Sequence, residues 1–161
     1  MKTQKGFTLI ELIIVIVVLG ILAVTAAPQF FNFSSDARES TIKGLAGAVS
    51  GAKDIVYGKA AIEGIEADAT GTTDGGVDVV YGYPAATAAG IMAALNVGSD
   101  FASLEIDGTE TELTTSANGD LVIYPTDKPI NDTADTECYV VYTPAADAST
   151  PPVVTAVTGG C

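Results

Sequence analysis

Few residues in this chain are placed to do chemistry. Glu11 is the only charged side chain in residues 7–27, and Cys138 and Cys161 are the only thiols in 161 residues. A carboxylate within an apolar run is unfavourable in lipid unless a cation compensates it, so Glu11 either pairs or snorkels toward a headgroup layer. Asp132, Asp135 and Glu137 lie close together, and hard cations take oxygen ligands. Their spacing fits no EF-hand loop, however, and a solvated acidic surface is the ordinary explanation. The chain has no histidine. That removes Ser/His and Cys/His nucleophile pairs, HExxH zinc sites and imidazole bases. Two cysteines are too few for a thiolate cage or an iron–sulfur cluster. With 20 acids, paired carboxylates arise by accident, which weakens any glycosidase reading. A net charge of −13 opposes wrapping a phosphate backbone, so generic nucleic-acid binding is excluded. No enzyme, cofactor or metal site is expected.

Glu11 is positioned by the run FTLIELIIVIVVLGILAVTAA, residues 7–27, fourteen of which are Leu, Ile, Val or Phe. As a helix it would be about 30 Å long, the thickness of a bilayer's hydrocarbon core. Insertion is favoured by roughly 4–8 kcal/mol before the cost of one carboxylate near the helix end, and so still wins. A buried helix apolar on every face would need a much larger core than this chain can supply. Lys2 and Lys5 are the only charges ahead of the run, and hold the N-terminus in the cytoplasm. Pro28 directly follows Ala26-Ala27 and disfavours a secretory cut there. Either an uncleaved anchor or a cut in front of the run remains.

Beyond Pro28, Ile42, Leu45, Val49, Ala52, Val56 and Ala60 recur at spacings of three and four, a single helical stripe. Arg38, Glu39, Lys43, Lys53 and Asp54 occupy much of the remainder, with Glu39 and Lys43 as an i,i+4 pair. Gly44, Gly47 and Gly51 weaken the helix and are expected to let a sheet approach closely. One helix over residues 8–64 follows. Residues 65–83 have loop composition, and Pro84 is expected to open a short helix in PAATAAGIMAAL. Strands are expected at residues 102–106, 109–114, 121–124, 139–142 and 153–157, with turns at Asp107-Gly108 and Asn118-Gly119. The fold class is α+β: a long N-terminal helix, transmembrane in its first half, packed on a four- or five-stranded antiparallel sheet. A chain translocated with two cysteines favours one disulfide. Joining Cys138 to Cys161 closes a loop of about 24 residues, a constraint of roughly 3.4 kcal/mol.

Gly6-Phe7-Thr8-Leu9-Ile10-Glu11 resembles the class III leader and processing site of the type IV pilins. The resemblance implies that residues 1–6 are a leader, cut between Gly6 and Phe7 by a prepilin peptidase that N-methylates Phe7. Residues 7–27 would be the transmembrane and filament-core helix, and residues 28–161 the periplasmic or extracellular head. It also implies that Glu11, fifth in the mature chain, pairs with the Phe7 amine of a neighbouring subunit. Gly20 and Pro28 stand where the family's helix is weakened, and Cys138–Cys161 would close its C-terminal disulfide loop, residues 138–161. Ala48 stands where many pilins carry a second helix proline, which implies a straighter helix. Expected partners are copies of the chain, the peptidase, the pilus assembly machinery and the inner membrane before assembly. Residues 37–66, centred on IVYGKAAIEG, resemble the mannose-sensitive-haemagglutinin pilins of Gram-negative bacteria. That likeness implies a major pilin of an extracellular pilus that attaches to surfaces or host glycans. A type II secretion pseudopilin and a ligand-binding minor pilin are the alternatives.

Overall fold

The computed structural model describes residues 6–107, 113, 116–117, 119–128, 130 and 137–161, with the side chains of residues 26–32 outside that description. It comprises two compact units, Met1–Ala37 and Arg38–Cys161. A helix, α1 (Leu9–Glu63), supplies the first unit and opens the second. Its expected bounds are met within one residue at each end. The C-terminus is closed by Gly64, whose φ of +74° turns the chain. The Ile65 N–H then donates to Ala60 O at 3.0 Å, and the Gly64 N–H to Ala61 O at 3.4 Å. That paired closure satisfies carbonyls that no further helical turn can reach.

The second unit carries a four-stranded antiparallel sheet in the order β4 (Phe101–Glu105), β5 (Leu121–Pro125), β6 (Tyr139–Thr143), β7 (Val153–Val157). All four strands lie within a residue of the expected positions. Register pairs Ser103 with Ile123, Ile123 with Val140, and Val141 with Thr155. The expected strand at residues 109–114 lies, apart from Leu113, outside the described residues, as do Gly108, Asn118, Asp132 and Asp135. On the helix-facing side Leu121, Ile123, Cys138, Val140 and Tyr142 pack with Ile42, Leu45 and Val49 of α1. On the other side Val122, Tyr139 and Val141 form a second cluster with Ile106. Because successive strand residues point to opposite faces, burying both faces requires the unbroken apolar runs LVIY and YVVY.

Three expectations are corrected. Residues 65–83 are not all loop, because β1 (Gly71–Thr72), β2 (Asp78–Val80) and β3 (Tyr83–Pro84) form a small antiparallel sheet. Pro84 therefore ends a strand, and the helical turn α2 (Ala88–Met92), of π type, starts four residues later under a Thr87 cap. Pro84 is held in place by its carbonyl, which accepts the buried Tyr142 hydroxyl at 2.7 Å. Burial pushes that phenol's pKa well above the ordinary tyrosine value. Finally, Gly44, Gly47 and Gly51 do not face the sheet. All three are exposed, with nothing within 4 Å of where a Cβ would stand.

Tyr81 and Gly82, with φ of +50° and +78°, make the two-residue turn between β2 and β3. Left-handed backbone at both positions is what a tight hairpin of this hand requires. Gly82 also lies so close to Glu66 that a Cβ would stand 2.7 Å from its Cα. Gly82→Ala should therefore cost more than about 2 kcal/mol. Gly76→Ala, at φ +79° but in open space, should cost only about 1 kcal/mol. Urea unfolding of the detergent-solubilised variants measures both, and equal losses would refute the close-approach argument.

Candidate functional site

Within the first unit, the helix from Leu9 to Val24 is apolar on all sides apart from Glu11. Every Leu, Ile and Val from Leu9 to Val24 is at least 46% exposed, and Phe7 is 85% exposed. Thirteen such side chains, at roughly 1.5–3 kcal/mol each when fully buried, represent a gross drive of about 20–40 kcal/mol to find apolar cover. Nothing in their own unit supplies it. Among the described residues no helix is long and apolar enough to cross a membrane. The apolar run of the sequence continues to Ala27, past Thr25, where the described side chains stop.

Glu11 sits in the first turn of α1 and caps it. Its Oε2 accepts from the Thr8 N–H at 2.9 Å and from the Thr8 hydroxyl at 2.6 Å. Thr8 Oγ1 in turn accepts from the Glu11 N–H at 3.4 Å. This reciprocal arrangement is a capping box, and the spacing Thr-x-x-Glu ahead of an apolar run carries its signal in the sequence. Thr8 is thus a partner of Glu11 that the cation-or-headgroup reading of the carboxylate did not include. One oxygen serves both Thr8 contacts, and the negative charge lies at the positive end of the helix dipole. Gly6 and Phe7 precede this turn and are exposed, with open space around Gly6. Gly20 and Pro28 lie inside the continuous span of α1.

The other expected pair belongs to the second unit. Cys138 and Cys161 form a disulfide with Cα atoms 4.8 Å apart. Cys138 is buried in the helix-facing core, and Cys161 packs against it. Beside the bond the Gly160 N–H donates to Glu137 O at 2.9 Å. Within the loop so closed, Asp147 Oδ1 accepts from the Ser149 N–H at 2.7 Å and its hydroxyl at 2.6 Å. Hydrogen bonds from Ser149 hold the Asp147 carboxyl below its usual pKa. The segment DASTPP, exposed from Asp147 to Pro151, therefore contains a built turn.

Four of the head's five basic side chains meet acids. Arg38 meets Asp127 at 2.8 Å, Lys53 meets Asp54 at 2.9 Å, Lys59 meets Glu63 at 2.7 Å, and Lys43 pairs with Glu39. The Lys59 hydrogen bond raises the lysine's pKa and lowers that of Glu63. Two shallow grooves of about 380 and 390 Å³ flank Val80, Ala85 and Thr87. Their polar walls are hydroxyls and carboxylates such as Asp78, Glu105 and Asp120, with no basic side chain. Among the described residues no cluster of metal-ligating side chains occurs.

The chain matches the model of the prokaryotic N-terminal methylation motif over residues 1–27. It is 33% identical over 129 residues to fimbrial protein Q of Moraxella bovis, covering 75% of this chain and 76% of that one. The type IV major alpha-pilin of the same organism is 48% identical over 44 residues, 27% of this chain and 28% of its own. Type II secretion system core protein G of Pseudomonas aeruginosa is 41% identical over 54 residues, 34% of this chain and 38% of its own. No solved structure matches. The match to fimbrial protein Q is long enough to include head as well as helix, whereas those to the alpha-pilin and the secretion protein cover about a third of the chain or less. An unsheltered apolar helix headed by Gly-Phe-Thr-Leu-Ile-Glu, joined to a disulfide-closed α+β head, places this chain in the type IV pilin family of fimbrial proteins, as a subunit of a pilus.

Proposed function

We propose that the chain is the major subunit of a type IV pilus, made as an inner-membrane precursor and assembled into an extracellular filament of a Gram-negative bacterium. The observation that carries this reading is the helix of residues 9–24, exposed and apolar on every side, with its one carboxylate at the N-terminal end. Lipid covers such a helix before assembly, and the same segments of other copies cover it afterwards. Residues 1–6 are the leader, residues 7–27 the membrane and filament-core segment, and residues 28–161 the head. A prepilin peptidase cuts after Gly6 and methylates Phe7, and the assembly machinery then extracts the subunit. Gly20 and Pro28 weaken α1 locally, at about 1 kcal/mol and one lost backbone hydrogen bond, so that the helix yields on assembly. Residues 37–66 support a mannose-sensitive-haemagglutinin type of pilin that attaches to surfaces or host glycans.

The mature protein is expected to begin at N-methylated Phe7, and replacing Gly6 by a bulky residue should leave at least nine-tenths of the chain as precursor. Mass spectrometry of membranes and sheared filaments checks both. A native N-terminus at Met1, or a cut near Ala27, would overturn the processing scheme. The chain should also dominate sheared filaments by mass, whereas a trace amount would favour a minor pilin. Absence from any surface filament would favour a secretion pseudopilin.

A further inference from the structure

The hairpin turn between β1 and β2 is tightly closed but leaves one reactive step open. The Gly76 N–H donates to Thr73 O at 2.8 Å, and the Thr73 N–H to Val77 O at 3.0 Å. Asp74-Gly75-Gly76 is thus a three-residue loop that ends on a left-handed glycine, Gly76 at φ +79°. In such a loop the N–H at the third turn position closes no bond. Among the described residues the Gly75 N–H has no acceptor, and the Asp74 carboxylate has no donor. Asp74 and Gly75 are both exposed. Only Thr73 Oγ1, at 3.7 Å, lies within 4 Å of where a Gly75 Cβ would stand, and no side chain of its own shields the nitrogen.

The carboxyl carbon of Asp74 therefore stands next in the chain to a free backbone nitrogen. The N–H of Gly119, which follows the chain's Asn-Gly step, is by contrast held by Ile106 O at 2.8 Å. The other Asp-Gly step, at Asp107-Gly108, extends outside the described residues.

We infer that Asp74-Gly75 is a site of spontaneous covalent modification, at which the folded chain converts aspartate to isoaspartate. The Gly75 nitrogen bonds to Cγ of the protonated Asp74 carboxyl. One carboxyl oxygen leaves as water, with the amide proton and the carboxyl proton. Water then reopens the five-membered imide. Attack at the former main-chain carbonyl leaves the chain running through Cβ and Cγ, with the α-carboxylate as the side group. One water leaves and one returns, so mass and oxidation state are unchanged. The product lengthens the chain between Thr73 and Gly76 by one methylene, roughly 1.5 Å. That insertion lies within the turn and beside the Asp74 N–H, which donates to Glu63 Oε1 and Oε2 at 3.2 and 3.1 Å. Glu63 is the last residue of α1 and also holds Lys59. Conversion thus loosens the turn that ties the small sheet to the end of the helix.

The test compares the full chain folded in detergent with the same chain in guanidinium, both held for several weeks at neutral pH. Digestion with a protease that cuts ahead of aspartate but not isoaspartate, followed by mass spectrometry, reads the converted fraction at each position. In the folded chain Asp74 should convert at least tenfold more than Asp68 and Asp78, which precede Ala and Val. Its rate should also lie within tenfold of that in guanidinium. Gly75→Val should lower conversion at Asp74 at least tenfold, because a branched side chain crowds the attacking nitrogen. Gly75 lies outside the left-handed region and has room for the side chain, so the turn tolerates this change. Conversion at Asp74 no greater than at Asp68, or more than tenfold slower in the folded chain than in guanidinium, would overturn the inference. Unchanged conversion in Gly75→Val would do the same.

Discussion

Glu11→Ala is expected to leave membrane insertion intact, or slightly improved, while filaments disappear. The substitution removes a charge that lipid disfavours by a few kcal/mol, so the apolar run inserts at least as well as before. It also removes the carboxylate that closes the first turn of α1 through Thr8, a capping interaction worth about 1 kcal/mol. The larger loss comes on assembly. In the pairing that the pilin resemblance implies, the carboxylate would meet the Phe7 amine of a neighbouring subunit, and breaking one side of such a buried pair costs about 3–5 kcal/mol. That cost recurs at every added subunit, so even the lower figure would abolish a filament. Processed, membrane-embedded subunits should accumulate. Glu11→Gln should be milder, because an amide oxygen can still accept from both the amine and the Thr8 N–H. Immunoblots of membranes against sheared filaments separate the two effects, and wild-type filament yield from Glu11→Ala would show that the carboxylate is a passenger.

Cys161→Ser with Cys138→Ser is expected to free the last strand of the head. Among the described residues β7 is an edge strand, paired only to β6, with its side chains exposed or half-exposed. Hydrophobic burial therefore holds it weakly, and the covalent tether at its C-terminal end carries much of the load. Losing the constraint should lower stability by roughly 3.4 kcal/mol on chain-entropy grounds, within the usual 2–5 kcal/mol for a native bond of this kind. Changing both residues avoids leaving a lone thiol in the buried Cys138 position. Limited proteolysis should then cut the chain after β6, at residues 144–152, and piliation should fall. A head as resistant as the wild type would show that the β6–β7 ladder, with the Gly160-to-Glu137 bond, is sufficient without the disulfide.

These expectations draw on features with different origins. The motif at residues 6–11 was legible through its resemblance to the type IV pilin leader, while physics alone marked Glu11 as an isolated carboxylate in an uncharged run. The helix Leu9–Glu63 and its core stripe were legible because period-three-and-four burial is a local pattern that packing only ratifies. Strands β5, β6 and β7 stood out because β-branched and aromatic residues cluster there between turn residues. Two signals were present but subtler: the Thr-x-x-Glu capping box, and the position of the helix glycines opposite the apolar stripe.

Residues 71–84 were not legible, for a different reason. β1, β2 and β3 are two or three residues long and built from Gly, Thr, Asp, Val, Tyr and Pro, too short a pattern to tell from loop. What makes them a sheet is non-local: the Tyr81-Gly82 turn seated on Glu66, and the Tyr142 hydroxyl on Pro84 O across 58 residues of sequence. Locally, a proline ahead of an alanine-rich segment suits a helix start equally well, and pairing with Val79 of β2, together with that buried hydrogen bond, puts Pro84 in a strand. Periodicity, charge and cysteine count thus pointed to the long helix, its apolar first half, the α+β class and the disulfide. Tertiary packing decided the small sheet, the burial of both faces of β5 and β6, and which side of α1 stays uncovered, because each depends on contacts between segments distant in sequence.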